Sequence, residues 1–303
     1  MVKSAVLKRF DLWRILLIVP LAAVYAPACA DLARAWWHDQ YAGHGMFVPA
    51  FAAFLAWTDR ERLRTAVGPP SLAGIPLILA ALAILIIGRW SGSLLLQAAS
   101  VAMAVAGIVL WTVGERCLKA AAFPVVFLVL MAPLPHALVD SVTLHLQFFA
   151  AGVAGLVLEI LNVPFYQSGL TIMLPTITLQ VAEVCNGLRF LMALLVLATA
   201  FAYITQRTVT RMAVVVASAI PIAILANAAR VAAVAVAVQY IGPQAASGTL
   251  HDAIGKAMWA LTLVPLVGLG LLLRGRSGGN RSTHAPGTRA IEPTRLTDVS
   301  PDQ

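Results

Sequence analysis

The sequence predicts an all-α polytopic membrane protein of about eight transmembrane helices, with a short extended segment capping one face. Three observations carry this expectation. Hydrophobic residues make up 60% of the 303 positions and charged residues only 11%, against about 25% charged in soluble domains. Apolar runs of membrane-spanning length recur along the chain. The short segments between them alternate in sign, basic then poor in Lys and Arg, as orientation in a membrane demands. The net charge of +8 therefore reflects loops and a polar tail, and no nucleic-acid partner is expected; the bilayer itself is the first partner.

In order, the runs lie near 12–33, 45–57, 72–88, 94–113, 120–134, 186–204, 212–240 and 252–273. The first follows "MVKSAVLKRF" and resembles a signal peptide, with "APACADLA" in the place of a cleavage site. With so many spans downstream, the expectation is an anchor retained as the first helix. The run at 45–57 is short for a crossing. Segment 136–161 is helical in period but carries Asp140, His145 and Glu159. A crossing there would turn the "TQRTVTR" loop outward, so the expectation is a helix lying in or dipping into the external interface. Residues 162–184 are rich in β-branched side chains punctuated by Gly169 and Pro175, which predicts a short external β-hairpin or extended cap. The domain thus runs over 1–276. The polar, Pro/Gly-rich tail over 277–303 is expected to be disordered.

"KSAVLKR", "TDRERLR", "GERCLK", "TQRTVTR" and "LRGRSGGNR" read as cytoplasmic. "DQYAGHG", "GRWSGS", "PLPHALVD" and "YIGPQAASGTLHD" read as external. Both termini are then cytoplasmic, and 162–184 and 241–250 are external.

Three polar residues fall at one interface of this arrangement. Cys185 runs helically to Arg207, His251 to Arg274, and Arg211 up to Arg230. At 1.5 Å per residue these are spans of roughly 28–35 Å, close to the hydrocarbon thickness. A thiol, a guanidinium and an imidazole at one level make a nucleophilic site. Cys185 opens its helix, where free N–H groups and the dipole favour a thiolate; Arg189, one turn on, adds positive charge. Glu183 either orients a partner or is solvated. Arg230 interrupts a run dominated by Ala, Val and Ile. Such a residue either snorkels to the headgroups or faces a polar interior, and Asn227 one turn away favours the interior. There its task is to hold an oxyanion or steady a thiolate. His251, beside Asp252, follows the Arg230 helix by a short loop and suits general acid/base work; a lone interfacial His is also an ordinary polar residue. His44 in "HGMFVP" opens the short second helix, where a plain interfacial helix start is the alternative. Cys29 and Cys117 lie in or beside apolar runs and read as packing residues. The three cysteines have no metal-ligand spacing, and no metal or cofactor is expected.

"AEVCNGLRF", "NAARV", "HDAIG" and "HGMFVP", in this order and spacing, resemble the exosortase/archaeosortase family of membrane cysteine transpeptidases over roughly 12–273. The resemblance implies Cys185 as nucleophile, Arg230 as oxyanion or thiolate stabiliser and His251 as acid/base. Family members often carry a small residue after the cysteine, where this chain has Asn186, and this departure bears on substrate preference. It further implies substrates that are secreted, membrane-anchored proteins with a C-terminal sorting signal: a Pro-Glu-Pro motif, one membrane helix, then a basic cluster. Cleavage would pass through an acyl-thioester, resolved by water or by an acceptor nucleophile the sequence does not identify, in an exopolysaccharide-producing bacterium. Two other readings stand beside this one: a transporter or flippase for a polysaccharide or lipid-linked precursor, in which Arg, His and Asn mark a transport path, and a noncatalytic assembly factor for polysaccharide export.

Overall fold

A computed structural model of the chain describes residues 12–175, 177–181 and 187–274. Its elements are almost all helical. They are α1 (Leu12–His38), α2 (Phe47–Thr58), α3 (Arg60–Thr65), α4 (Gly74–Trp90), α5 (Leu94–Ala120), α6 (Ala122–Phe127) and α7 (His136–Ile160). Three short strands follow: β1 (Tyr166–Ser168), β2 (Thr171–Met173) and β3 (Thr178–Gln180). The chain closes with α8 (Gly187–Thr205), α9 (Val209–Ile241) and α10 (Gly248–Leu273). Among the described residues, α5, α7, α8, α9 and α10 are long and apolar enough to cross a membrane, and α4 and the stretch Ala122–Met131 are shorter apolar helices. The protein is a mostly helical, multi-pass membrane protein. Large apolar side chains such as Leu79, Ile86, Val126, Val264 and Leu272 point outward from the bundle, as a lipid solvent allows.

Local signals set the helix ends. Ser93 caps α5, its hydroxyl accepting the Leu96 N–H at 3.3 Å, and Thr208 caps α9 by accepting the Arg211 N–H at 3.4 Å. The last turn of α9 closes with the Gly242 N–H donating to the Val238 carbonyl at 3.0 Å. Gly242 has φ +116°, a conformation that glycine adopts without a Cβ penalty, and Pro243 then starts a 3-10 turn over Pro243–Ala246. Ser247 leads into α10. The α9–α10 connection is therefore tight, and it returns the chain beside the helix it has just left.

Segment 136–161 differs from its expectation. It is an upright helix, about 37 Å long at 1.5 Å per residue, packed lengthwise on α9. Near its start, Val139 shares a core with Leu188, Leu191, Ala219 and Ala223. Near its end, Ala150, Ala151, Ala154 and Leu158 pack with Val231, Ala232, Ala235 and Val238. The two helices therefore run in the same direction. Small residues explain the packing: alanines on both faces let the backbones approach closely. Asp140, His145 and Glu159 lie on the exposed face, and His145 Nδ1–H donates to the Ser141 carbonyl at 2.7 Å. The preceding stretch is shorter than expected. It runs as α6 and a 3-10 turn to Met131, then re-enters helix at His136. Phe123 stacks on Tyr203 near the last turn of α8, whereas Met131 lies level with the end of α1, where its carbonyl accepts the Trp36 indole N–H at 3.1 Å. Ala122–Met131 and α7 together thus climb the bundle once.

The strands form one antiparallel sheet in the order β1-β2-β3, with Gln167 opposite Ile172 and Ile172 opposite Leu179. Alternation puts Ile172 and Leu179 on one face, and that face packs on α7 and on the Val231–Val238 end of α9. A β-hairpin was expected here; the chain adds a third strand, whose far end leads toward α8. Residues 1–11, 176, 182–186 and 275–303 lie outside the described residues, and with them the expected disordered tail.

Candidate active site

Arg230 and His251, twenty-one residues apart in sequence, are in contact. Arg230 Nη2–H donates to His251 Nε2 at 3.0 Å. A guanidinium has only donors, so Nε2 carries the lone pair, and His251 is the neutral tautomer with its proton on Nδ1. Both partners keep an unused donor. Among the described residues, Arg230 Nε and His251 Nδ1 are buried without a hydrogen-bond partner, although buried polar groups are ordinarily satisfied. Two unpaired donors in one place suit an acceptor such as a thiolate, a carbonyl oxygen or a carboxylate.

The helices deliver these groups by simple means. Arg230 lies on the long α9, about five turns from its basic start at Arg211. The tight Gly242–Ser247 connection brings His251 back in the first turn of α10. Gly255, one turn beyond His251, makes room for the guanidinium. A Cβ there would stand 3.2 Å from Arg230 Nη2 and 3.3 Å from Cζ. The i, i+4 pair of His251 and Gly255 thus forms one face against which Arg230 lies flat.

Asn227, one turn before Arg230, is only 6% exposed and faces the start of α8. A Cβ on Gly187 would come within 2.7 Å of Asn227 Nδ2 and 3.1 Å of its Cγ. The absence of a side chain at Gly187 is what lets α8 begin directly against the Asn227–Arg230 face. Cys185, Glu183 and Asn186 lie outside the described residues. Cys185 precedes Gly187 by two positions, and at about 3.3–3.6 Å per residue its Cα stays within about 7 Å of Gly187 by covalent reach alone.

Arg230 and His251 open onto a cleft of about 1290 Å³. Arg189, Asp252 and Lys256, all exposed, stand along it. Trp36, Tyr41, Phe190 and Trp259 form aromatic walls, and His44 closes one side. His44 is 8% exposed and donates from Nδ1 to the Tyr41 carbonyl at 3.1 Å. Burial pushes its imidazole below the usual histidine range, against the opposing pull of the Tyr41 and Leu130 carbonyls and of Asp39. The structure therefore gathers Arg230, His251, Arg189, Asp252 and His44 around one cavity and seats Asn227 at its back. Sequence reading missed Gly255, Gly187, Lys256 and the tryptophans. The His251–Gly255 spacing was a legible signal, because a small residue one turn from a candidate ligand marks a close approach. The tryptophans carried none, since aromatic residues are ordinary at membrane interfaces.

A family model described as transmembrane exosortase matches residues 36–268, more than three quarters of the chain. The chain belongs to the transmembrane exosortase family. The matched region of this exosortase begins at Trp36 in the cleft wall and ends inside α10, so it takes in Arg230, His251 and the start of α8. No curated protein and no solved structure matches the chain.

Proposed function

We propose that this exosortase is a membrane-embedded cysteine transpeptidase that cleaves C-terminal sorting signals of secreted proteins at the external face of the cell membrane. The observation that carries the proposal is the 3.0 Å contact between Arg230 and His251, set in a large cleft at the end of the bundle where α8 begins. Cys185 attacks the scissile carbonyl carbon of the anchored substrate. His251, held in its basic form by the contact with Arg230, accepts the thiol proton once Arg230 turns its donors to the developing oxyanion. The C–N bond breaks, the imidazolium protonates the leaving amine, and the acyl group remains on Cys185 as a thioester. Water or an acceptor nucleophile then attacks the thioester and restores the thiol. Arg189 and Lys256 give the cleft positive charge, which favours both the thiolate and an acidic substrate segment. Asn227 braces the start of α8 behind the nucleophile. Eight crossings with both termini cytoplasmic, and the three-stranded sheet outside as a cap, belong to the same proposal. So does the division into a membrane domain over 1–276 and a disordered tail over 277–303.

The test is conversion of a precursor bearing such a signal to its shorter form, in membranes normalised for expressed protein. Cys185→Ala is expected to insert and to abolish conversion, whereas Cys29→Ser and Cys117→Ser convert normally. Full conversion by Cys185→Ala would favour the noncatalytic or transport reading.

A further inference from the structure

At the opposite end of the bundle, far from Arg230, a second pocket of about 360 Å³ lies between the end of α2, α3, the end of α8 and the start of α9. Its construction is specific. The Tyr203 hydroxyl donates to Asp59 Oδ2, and the Tyr203 ring is pinned by stacking on Phe123, with centroids 3.8 Å apart and planes 8° from parallel. Gln206 is 6% exposed; its Nε2 donates to the Gly270 carbonyl at 2.8 Å and to Thr205 Oγ1 at 3.0 Å. These bonds fix the amide, yet its Oε1 is buried with no hydrogen-bond partner among the described residues. Arg62 from α3 and Arg207 from the α8–α9 turn line the same pocket, and neither takes part in an ion pair among the described residues.

The inventory defines a ligand. Two guanidiniums call for a phosphate, which Arg binds through paired N–H donors. Gln206 Oε1, an acceptor with nothing to accept, calls for a donor on the same molecule. With Asp59 counted, the pocket carries one net positive charge, which matches a singly charged phosphodiester. Arg207 stands in the basic loop between two helices long and apolar enough to cross a membrane, a position that favours contact with anionic headgroups, and the exposed apolar side chain of Ile204 offers a path for acyl chains. We propose that this pocket binds the headgroup of an anionic phospholipid bearing free hydroxyls. The phosphate sits between Arg62 and Arg207, and a headgroup hydroxyl donates to Gln206 Oε1. The lipid fastens α3 to the α8–α9 turn at the end of the bundle away from the active site.

The experiment uses the full chain in nanodiscs of phosphatidylcholine with and without phosphatidylglycerol, reading bound lipid by native mass spectrometry and the thermal midpoint in parallel. The expected result is selective retention of phosphatidylglycerol with a raised midpoint. Arg62→Gln/Arg207→Gln should weaken retention at least about tenfold, as loss of charge-assisted bonds to a phosphate does, while keeping its midpoint in phosphatidylcholine alone. Arg64→Gln, an arginine outside the pocket and paired with Glu61 at 3.1 Å, should retain lipid as the parent does. Equal retention of both lipids, or equal loss in Arg64→Gln, would overturn the site. Equal occupancy by soluble glycerophosphoglycerol, which lacks acyl chains, would overturn the lipid assignment.

Discussion

Gly187→Ala tests whether the contact of α8 with α9 positions the proposed catalytic groups. The added Cβ would lie 2.7 Å from Asn227 Nδ2 and 3.1 Å from Cγ, where ordinary contact begins near 3.4 Å, so about 0.7 Å must be found. Asn227 is buried and short, and it stands one turn from Arg230; any yielding therefore moves either the Arg230 face or the start of α8 that follows Cys185. Overpacking of this kind costs about 1–3 kcal/mol, offset in part by the helix preference of Ala over Gly of up to about 1 kcal/mol. The net loss of stability is modest, about 1 kcal/mol. The loss of rate is larger, because a misplacement near 1 Å costs on the order of 10²-fold. Gly268→Ala and Gly152→Ala are the controls. Both glycines are helical, and a Cβ at either meets nothing within 4 Å among the described residues, so both variants should be equal to or slightly more stable than the parent. The assays are thermal unfolding in detergent and precursor conversion in membranes. Gly187→Ala converting within about twofold of the parent would refute the reasoning, since 10²-fold is expected from the displacement.

Arg230→Lys should insert normally and lose roughly 10²–10³ in conversion rate, because Lys is a point donor without the fork; conversion near that of the parent would make Arg230 a headgroup anchor. His251→Gln keeps polarity and approximate size but shuttles no proton, and its conversion rate should fall as far. His44 is held neutral by burial, so its folded pKa lies below the unfolded value of about 6.5. The stability it contributes is complete above about 6.5 and is lost as pH falls through the folded value. The thermal midpoint should drop on acidification, and His44→Gln should flatten that drop; an unchanged slope would remove His44 as its source. Reporter fusions after Arg64 and Gln206 should report cytoplasmic positions, and fusions after Gly169 and Ala245 external ones. A cytoplasmic Gly169 would break the common-face arrangement.

The mostly helical, multi-pass character was legible because composition and run length are one-dimensional properties. Arg230 and His251 were legible for a related reason: each is a polar interruption at a countable distance from a basic loop, and helices convert counting into depth. Depth alone did not specify the contact between them, which depends on the close return through Gly242–Ser247 and on the missing side chain of Gly255. Segment 136–161 misled because its polar residues suggested an interfacial face. Its opposite face is lined with Ala150, Ala151 and Ala154, and these pack on another helix more closely than hydrophobicity alone indicates. The half-length stretch Ala122–Met131 was read as a full span because an apolar run does not show where it turns. The second pocket went unseen for a different reason. Asp59, Tyr203 and Gln206 are each unremarkable in sequence and meet only when α2 and α8 end at the same level.

The central claim is that Cys185 carries the acyl group, and the most direct measurement is mass spectrometry of the Cys185 peptide after the exosortase has been incubated with a sorting-signal precursor and quenched in acid. The expected result is a hydroxylamine-labile adduct on Cys185 with the mass of the acyl peptide immediately N-terminal to the cleavage site, absent from Cys29 and Cys117 and lost in His251→Gln. Processing that proceeds with no adduct on Cys185, or an adduct carried by another cysteine, would contradict it.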